Sequence, residues 1–224
     1  MDTRGKGRTA GRTVRILVVD DHEIVRRGVR TLLESEEGFE VVGEAATGRE
    51  AVTAARRLRP SVVIMDVSMP ELNGLEATRR IREALPACEV LVFTIHDSEH
   101  VLREAFEAGA HGFVLKSDAA RTLVAAVASL GRRKAFFPSP AAELLLAGYL
   151  DAGGIRSAPQ RLTSRQREVL QLLAEGRTNK DVARLLDITV KTAEAHRTNI
   201  MTKLGLHSVG DLVRYAIREK LVEP

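Results

Sequence analysis

Five short apolar runs, each followed by a helix-patterned stretch, fill the first 131 residues of this 224-residue chain. The runs are Ile16–Val19, Val41–Val42 (within FEVVGEA), Val62–Met65, Val90–Phe93 and Gly112–Leu115. Helical patterning lies between and after them, at 22–36, 48–58, 74–84, 98–108 and 119–131. Strands this apolar are buried on both faces. Strands alternating with helices predict an α/β fold with a parallel sheet, because parallel neighbours need a crossover. Right-handed crossovers then give a doubly wound, five-stranded parallel sheet with helices on both faces. Folds of this class place their sites beyond the carboxyl ends of the strands.

The residues at those ends are not a random set. Asp20 and Asp21 follow the first run, Asp66 the third, Thr94 the fourth and Lys116 the fifth. The second strand, ending at Gly43-Glu44, adds nothing obvious. Each residue alone has a bland explanation. Asp21 caps the helix that starts at His22, Asp66 turns the chain before Pro70, and Lys116 is a surface ammonium. Together they bring three carboxylates, a hydroxyl and an ammonium to one edge. Clustered carboxylates repel, so a cation must join them, and an all-oxygen donor set favours Mg²⁺. A carboxylate beside Mg²⁺ and a lysine can attack a phosphoryl group to give an aspartyl phosphate. The Thr94 hydroxyl can donate to a phosphate oxygen in that state only, which a switch requires.

The rest of the chain differs in charge. Residues 1–15 carry five Lys/Arg against one Asp, and residues 160–224 carry 12 Lys/Arg against eight Asp/Glu. Residues 16–159 carry 17 against 21. An acidic body with a basic C-terminal piece predicts two domains, the second facing an anionic partner. The Gly/Arg-rich start, residues 1–14, reads as a disordered basic tail. Residues 132–160 read as an apolar helix at 140–150 and a linker through Gly153-Gly154 and Pro159. No run of eighteen apolar residues and no signal-peptide pattern occurs, which predicts a soluble, cytoplasmic protein. The single cysteine, Cys88, excludes a disulfide framework or cysteine metal cluster, and His22, His100, His111 and His207 lack metal-ligand spacing.

From Leu162 the capping signals are dense. Thr163-x-x-Gln166 is a capping box, and Gly176 stops that helix. Thr178 caps the next helix, and after the turn Asp187-Ile188, Thr189 caps a third that Gly205 ends. Ser208 caps a fourth. Four helices, two of them joined by so short a turn in a basic module, predict an all-α helix-turn-helix domain over 161–224. At 100° per residue, Val190, Ala193, Ile200 and Leu204 fall on the buried side of the third helix. Lys191, Ala195, Thr198 and Thr202 fall opposite, flanked by Glu194 and Asn199, and form a face small enough to enter a major groove. Arg197 lies nearer the buried side, with a stem long enough to reach a phosphate.

The stretches DDH at 20–22, MDVSMPELNGLEA at 65–77, FTIHD at 93–97 and GFVLK at 112–116 resemble the receiver domain of two-component response regulators, over residues 15–131. Residues 162–208 resemble the LuxR-type DNA-binding domain. The pair is similar to response regulators of the NarL/FixJ type, with a flavodoxin-like receiver. The resemblance implies that Asp66 accepts phosphate from a sensor histidine kinase. It implies that Asp20, Asp21, Asp66 and the backbone carbonyl of Ser68 hold Mg²⁺. It also implies that Lys116 contacts the phosphate, and that Thr94 and Phe113 are the switch pair. His96 stands where the family tunes phosphate lifetime. Pro70 and Gly74 match the family's loop pattern. Lys191, Thr192, Glu194, Ala195, Arg197, Thr198 and Lys203 are the implied DNA contacts, and Ala193 replaces the family's usual valine. The implied partners are double-stranded promoter DNA, RNA polymerase and, once phosphorylated, a second copy of the chain, with no membrane. Two other readings stand beside this one: a DNA-binding regulator that works without phosphate, and a phosphatase or phosphotransferase using an aspartyl phosphate. The latter leaves the basic helical domain unexplained.

Overall fold

The computed structural model describes residues 13–137 and 162–222. The expected tail up to residue 12, the helix at 140–150 and the linker after it lie outside them. Five strands form one parallel sheet: β1 (Val14–Val19), β2 (Phe39–Ala45), β3 (Val62–Met65), β4 (Glu89–Thr94) and β5 (Gly112–Leu115). Their spatial order is β2-β1-β3-β4-β5, so the winding reverses between β1 and β3. That reversal is where a doubly wound sheet opens a crevice at its carboxyl edge. Helices α1 (Glu23–Glu34), α2 (Gly48–Leu58), α3 (Gly74–Ala84), α4 (Glu99–Glu107) and α5 (Ala119–Gly131) cover both faces.

Alternation along each strand builds two cores. Leu17, Val19, Val63 and Met65 meet Ala51 and Ala55 of α2 and Ala77 and Ile81 of α3. Ile16, Val18, Ile64 and Phe93 meet Val29 and Leu33 of α1 and Leu123 and Val127 of α5. All four residues of β3 are buried, as a strand covered on both faces requires. Beyond α5 the chain returns to the free edge of β5. Phe136 bridges Gly112, and its carbonyl accepts from the Phe113 N–H at 2.9 Å. The return pairs groups that an open edge strand would expose.

The C-terminal unit has four helices: α6 (Ser164–Ala174), α7 (Asn179–Leu186), α8 (Val190–Leu204) and α9 (Val209–Arg218). Thr163 and Gln166 form a reciprocal capping box, and Thr178 and Asp181 form another. Thr189 and Ser208 accept from the N3 backbone of α8 and α9. Gly205 closes α8 at φ +64°, in the left-handed region that favours glycine. Val169, Leu170, Val182, Ala183, Ile200, Leu212 and Ala216 form the shared core. Ala193 is fully buried in it. One expectation fails here: Val190 is 38% exposed, because helical phase gives direction but not depth and the first residue of α8 projects past the core. In the receiver unit, the bland alternative for Asp21 is not met, since it does not cap α1. His22 occupies the N-cap position without a side-chain bond, and its N–H donates to Asp20 Oδ1 at 2.8 Å.

Candidate functional site

The carboxyl ends of β1, β3 and β5 bring Asp20, Asp66 and Lys116 together. Asp20 and Asp66 are both buried. Lys116 Nζ lies between them, 2.7 Å from Asp20 Oδ2 and 2.9 Å from Asp66 Oδ2. The Val67 N–H donates to the other Asp66 oxygen at 2.8 Å. The Asp66 backbone is equally fixed: its N–H donates to the Val19 carbonyl at 2.9 Å. On the other side stands α3. A Cβ on Gly74 would sit 1.7 Å from the Asp66 carbonyl oxygen, so only glycine lets α3 approach this closely.

Burial pushes the Asp66 carboxyl up to about 6, against the pull of Lys116. Asp66 therefore stays anionic at neutral pH while proton uptake is within reach. Burial disfavours charge on Lys116 too, but Asp66 and Asp20 outweigh it and raise the lysine pKa. Asp21 sits at the rim, 32% exposed. Ligand atoms of Asp20, Asp21, His22 and Asp66 all lie within 4.8 Å of one another. Three carboxylates at that spacing suit a hard cation. The sequence reading missed His22: its Nδ1 lies 2.8 Å from Asp21 Oδ1 and 3.4 Å from Asp20 Oδ1. Direct succession to the aspartate pair was the available signal.

Thr94 is fully buried at the end of β4, and its Oγ1 accepts from the His96 N–H at 3.2 Å. The His96 ring in turn bonds the Ser68 hydroxyl at 2.8 Å, which ties the loop after β3 to the loop after β4. Phe113 is buried with Val92, Val101 and Leu102. Glu44 of β2, credited with nothing in the sequence, anchors α1. It lies 2.9 Å from Arg30 and 3.4 Å from Arg26, and Arg26 also donates to the Asp20 carbonyl at 2.7 Å.

A second candidate face lies on α8. Lys191, Thr192, Glu194, Ala195 and Thr198 are exposed, whereas Arg197 and Lys203 are half-buried. The Thr192 hydroxyl pairs with Thr189 Oγ1 at 2.8 Å, so it is committed to the helix start. The expected face is thus open and polar.

One further group was not foreseen. Gln171 of α6 is buried and bonds the loop that follows Asp66: Asn73 N–H donates to its Oε1 at 2.9 Å, and its Nε2 donates to the Met69 carbonyl at 2.8 Å. A glutamine inside the apolar run VLQLLA was the signal.

The chain matches the family model for the response regulator receiver domain over residues 16–128 and that for bacterial regulatory proteins of the luxR family over residues 160–216. It is 38% identical over 217 residues to the oxygen regulatory protein NreC of Staphylococcus epidermidis, covering 94% of this chain and 100% of that protein. A crystal structure of a LuxR-family two-component response regulator from Aurantimonas is 39% identical, with TM-score 0.57, over 62% of this chain and 99% of the other. RcsB from Salmonella enterica serovar Typhimurium, bound to promoter rprA with a phosphomimetic, is 29% identical, with TM-score 0.61, over 91% of this chain and 98% of that one. A buried aspartate pair bridged by lysine at the carboxyl edge of a β2-β1-β3-β4-β5 sheet, joined to a helix-turn-helix with an open polar face, agrees with these likenesses: the chain belongs to the two-component response regulators of the NarL/FixJ type, which bind DNA to regulate transcription.

Proposed function

We propose that Asp66 is the phosphoacceptor and that its phosphorylation controls pairing of the helix-turn-helix domains on DNA. The observation that carries this is Lys116 Nζ, held 2.9 Å from a buried Asp66 whose other oxygen is fixed by the Val67 N–H. Asp66 Oδ2 attacks the phosphorus of a sensor kinase's phosphohistidine. The O–P bond forms, the N–P bond breaks, and the imidazole leaves with the electron pair and takes up a proton. Lys116 moves with the new anion and contacts its oxygens. Asp20, Asp21, Asp66 and the Ser68 carbonyl would hold Mg²⁺, which when bound offsets charge on the phosphoryl oxygens. The Thr94 hydroxyl then donates to a phosphoryl oxygen, and Phe113 repacks in response.

The units run from 15 to 131 for the phosphoacceptor domain and 161 to 224 for the DNA-binding domain, with residues 132–160 joining them. Two phosphorylated chains pair and present α8 to two half-sites of promoter DNA. Glu194, Ala195 and Thr198 face base edges, and Lys191, Thr192, Arg197 and Lys203 face the backbone. RNA polymerase is the further partner. The protein is cytoplasmic, and among the described residues no helix is long and apolar enough to cross a membrane. It promotes only its own phosphorylation and dephosphorylation and turns over no separate substrate.

Acid-labile labelling from a small phosphodonor tests this reading. Asp66→Asn should take up no label, because an amide is a poor nucleophile. Thr94→Ala should be labelled but fail to shift toward dimer in sedimentation. Full labelling of Asp66→Asn would overturn the assignment. DNA affinity unchanged by labelling would favour a regulator that works without phosphate.

A further inference from the structure

Helix α6 is buried beyond what its own domain needs. Six consecutive residues, Glu168 to Leu173, are buried. One stripe of an amphipathic helix covers about 100°, so a run of six means that a second face is covered. Val169, Leu170, Leu172 and Leu173 belong to the helix-turn-helix core. Glu168 and Gln171 face the receiver instead.

The receiver surface they meet is the loop between Asp66 and α3. Besides the two Gln171 bonds, the Glu71 N–H donates to Glu175 Oε1 at 3.0 Å, and Gln171 Nε2 donates to the same oxygen at 2.8 Å. Glu71 holds φ +66°, a left-handed conformation uncommon outside glycine. Beside this clamp lies an ion cluster. Arg167 reaches Glu76 Oε2 at 3.3 Å, and Glu168 pairs with Arg80. Farther out, His100 of α4 lies 3.3 Å from Glu219 at the end of α9. Arg49 of α2 spans the same seam, with Nε 3.7 Å from Glu71 Oε2 and Nη2 4.0 Å from Glu168 Oε2. Meanwhile the α8 face stays exposed.

We propose that Gln171 and Glu175 clamp the helix-turn-helix domain onto the loop after Asp66, restraining that loop and the pairing of domains while leaving the recognition helix free to meet a half-site. The proposal rests on Asp66 being the phosphoacceptor. Three backbone groups of one short loop, Met69 C=O, Glu71 N–H and Asn73 N–H, are held from α6. Rearrangement around a phosphorylated Asp66 must stretch those bonds. Coupling is reciprocal, so a clamp that phosphate opens is also a brake on phosphorylation. Phosphate then controls how two modules assemble on paired half-sites, rather than how tightly one module grips one half-site.

The full-length Gln171→Ala variant tests this, since truncation to alanine keeps α6 intact. The readout is exchange of the Glu71 amide, whose acceptor Glu175 Oε1 keeps its carboxylate but loses the Gln171 bond that holds it. Loss of the two Gln171 bonds to the loop and the one to Glu175 predicts about tenfold faster exchange and about tenfold faster Asp66 labelling by acetyl phosphate. Without phosphodonor, affinity for a duplex carrying two half-sites should rise, while affinity for a single half-site stays within about twofold. In the wild type, beryllofluoride should deprotect Glu71. Unchanged Glu71 exchange in the variant would overturn the clamp. So would single-site affinity rising as much as paired-site affinity, which would mean that docking masks the recognition helix. A wild type that labels on Asp66 yet keeps Glu71 protected would overturn it too. Absence of labelling would sink the phosphoacceptor reading alone, and the exchange and half-site measurements would still decide the clamp.

Discussion

Removing Lys116 should make the metal-free chain less stable and its metal site stronger. Lys116 is 14% exposed and bonded to two buried carboxylates, at 2.7 Å and 2.9 Å. Taking one partner from a buried ion pair costs about 3–5 kcal/mol. The loss is limited here, because Asp66 already titrates at about 6. Protonating it at pH 7 costs only about 1.4 kcal/mol, one unit's worth. Lys116→Ala should therefore lose about 2–3 kcal/mol at pH 7 in chelator, and less at pH 5.5. Mg²⁺ should narrow the stability gap between the two proteins. In the wild type a cation must displace or repel an ammonium that holds the same oxygens. Without it, Mg²⁺ should bind at least about tenfold tighter, a difference of about 1.4 kcal/mol, well below the roughly 4 kcal/mol that one charge pair is worth at 4 Å near a protein surface. Urea unfolding in chelator and across a Mg²⁺ titration gives both numbers. Phosphodonor labelling should still fall, which separates holding the metal from contacting the phosphate. A variant as stable as wild type in chelator, or one with unchanged or weaker Mg²⁺ affinity, would refute the reasoning.

Gly74→Ala should cost about 3 kcal/mol or more, since its Cβ would stand 1.7 Å from the Asp66 carbonyl oxygen; a urea midpoint within error of wild type would show that α3 shifts freely. Asp66 also gives stability a pH slope. Its folded carboxyl, at about 6 against an ordinary 3.8, binds its proton more tightly than the unfolded chain does. Stability of the metal-free protein should therefore fall, by up to about 3 kcal/mol, as pH rises from about 4 through about 6. Asp66→Asn should lack that slope, and a wild-type-minus-variant difference that stays constant with pH would contradict it. Glu194→Ala should relax base preference at one position per half-site, by about 1–3 kcal/mol, whereas Arg197→Ala and Lys203→Ala weaken specific and random duplexes alike. Selection from randomised duplexes, with affinities at several salt concentrations, checks both.

Most helix ends were legible in the chain because they are local chemistry. Thr163, Thr178, Thr189 and Ser208 each accept from a backbone N–H three residues on, and that contact needs no distant partner. The strands were legible for a similar reason: β3 is apolar on both faces, so it had to be central. The ends of β1 and β2 were read short, because Val14, Arg15, Phe39 and Glu40 carry no continuous apolar run and are placed by pairing with each other.

The sequence by itself determined the strand and helix order, the set of groups brought to the carboxyl edge, and the capped four-helix reader. Each follows from periodicity or from hydrogen bonds that reach three or four residues along the chain. Tertiary structure decided how those groups meet. Lys116 is 50 residues from Asp66, and only the sheet order sets its ammonium between Asp66 and Asp20. His22 joins the carboxylates because α1 starts at the sheet edge. Gln171 finds Met69 and Asn73 more than 90 residues away, a pairing set by which surface covers the second face of α6. Periodicity marks a face as buried or exposed, but the partner that covers it lies elsewhere in the chain and is fixed only when the elements pack.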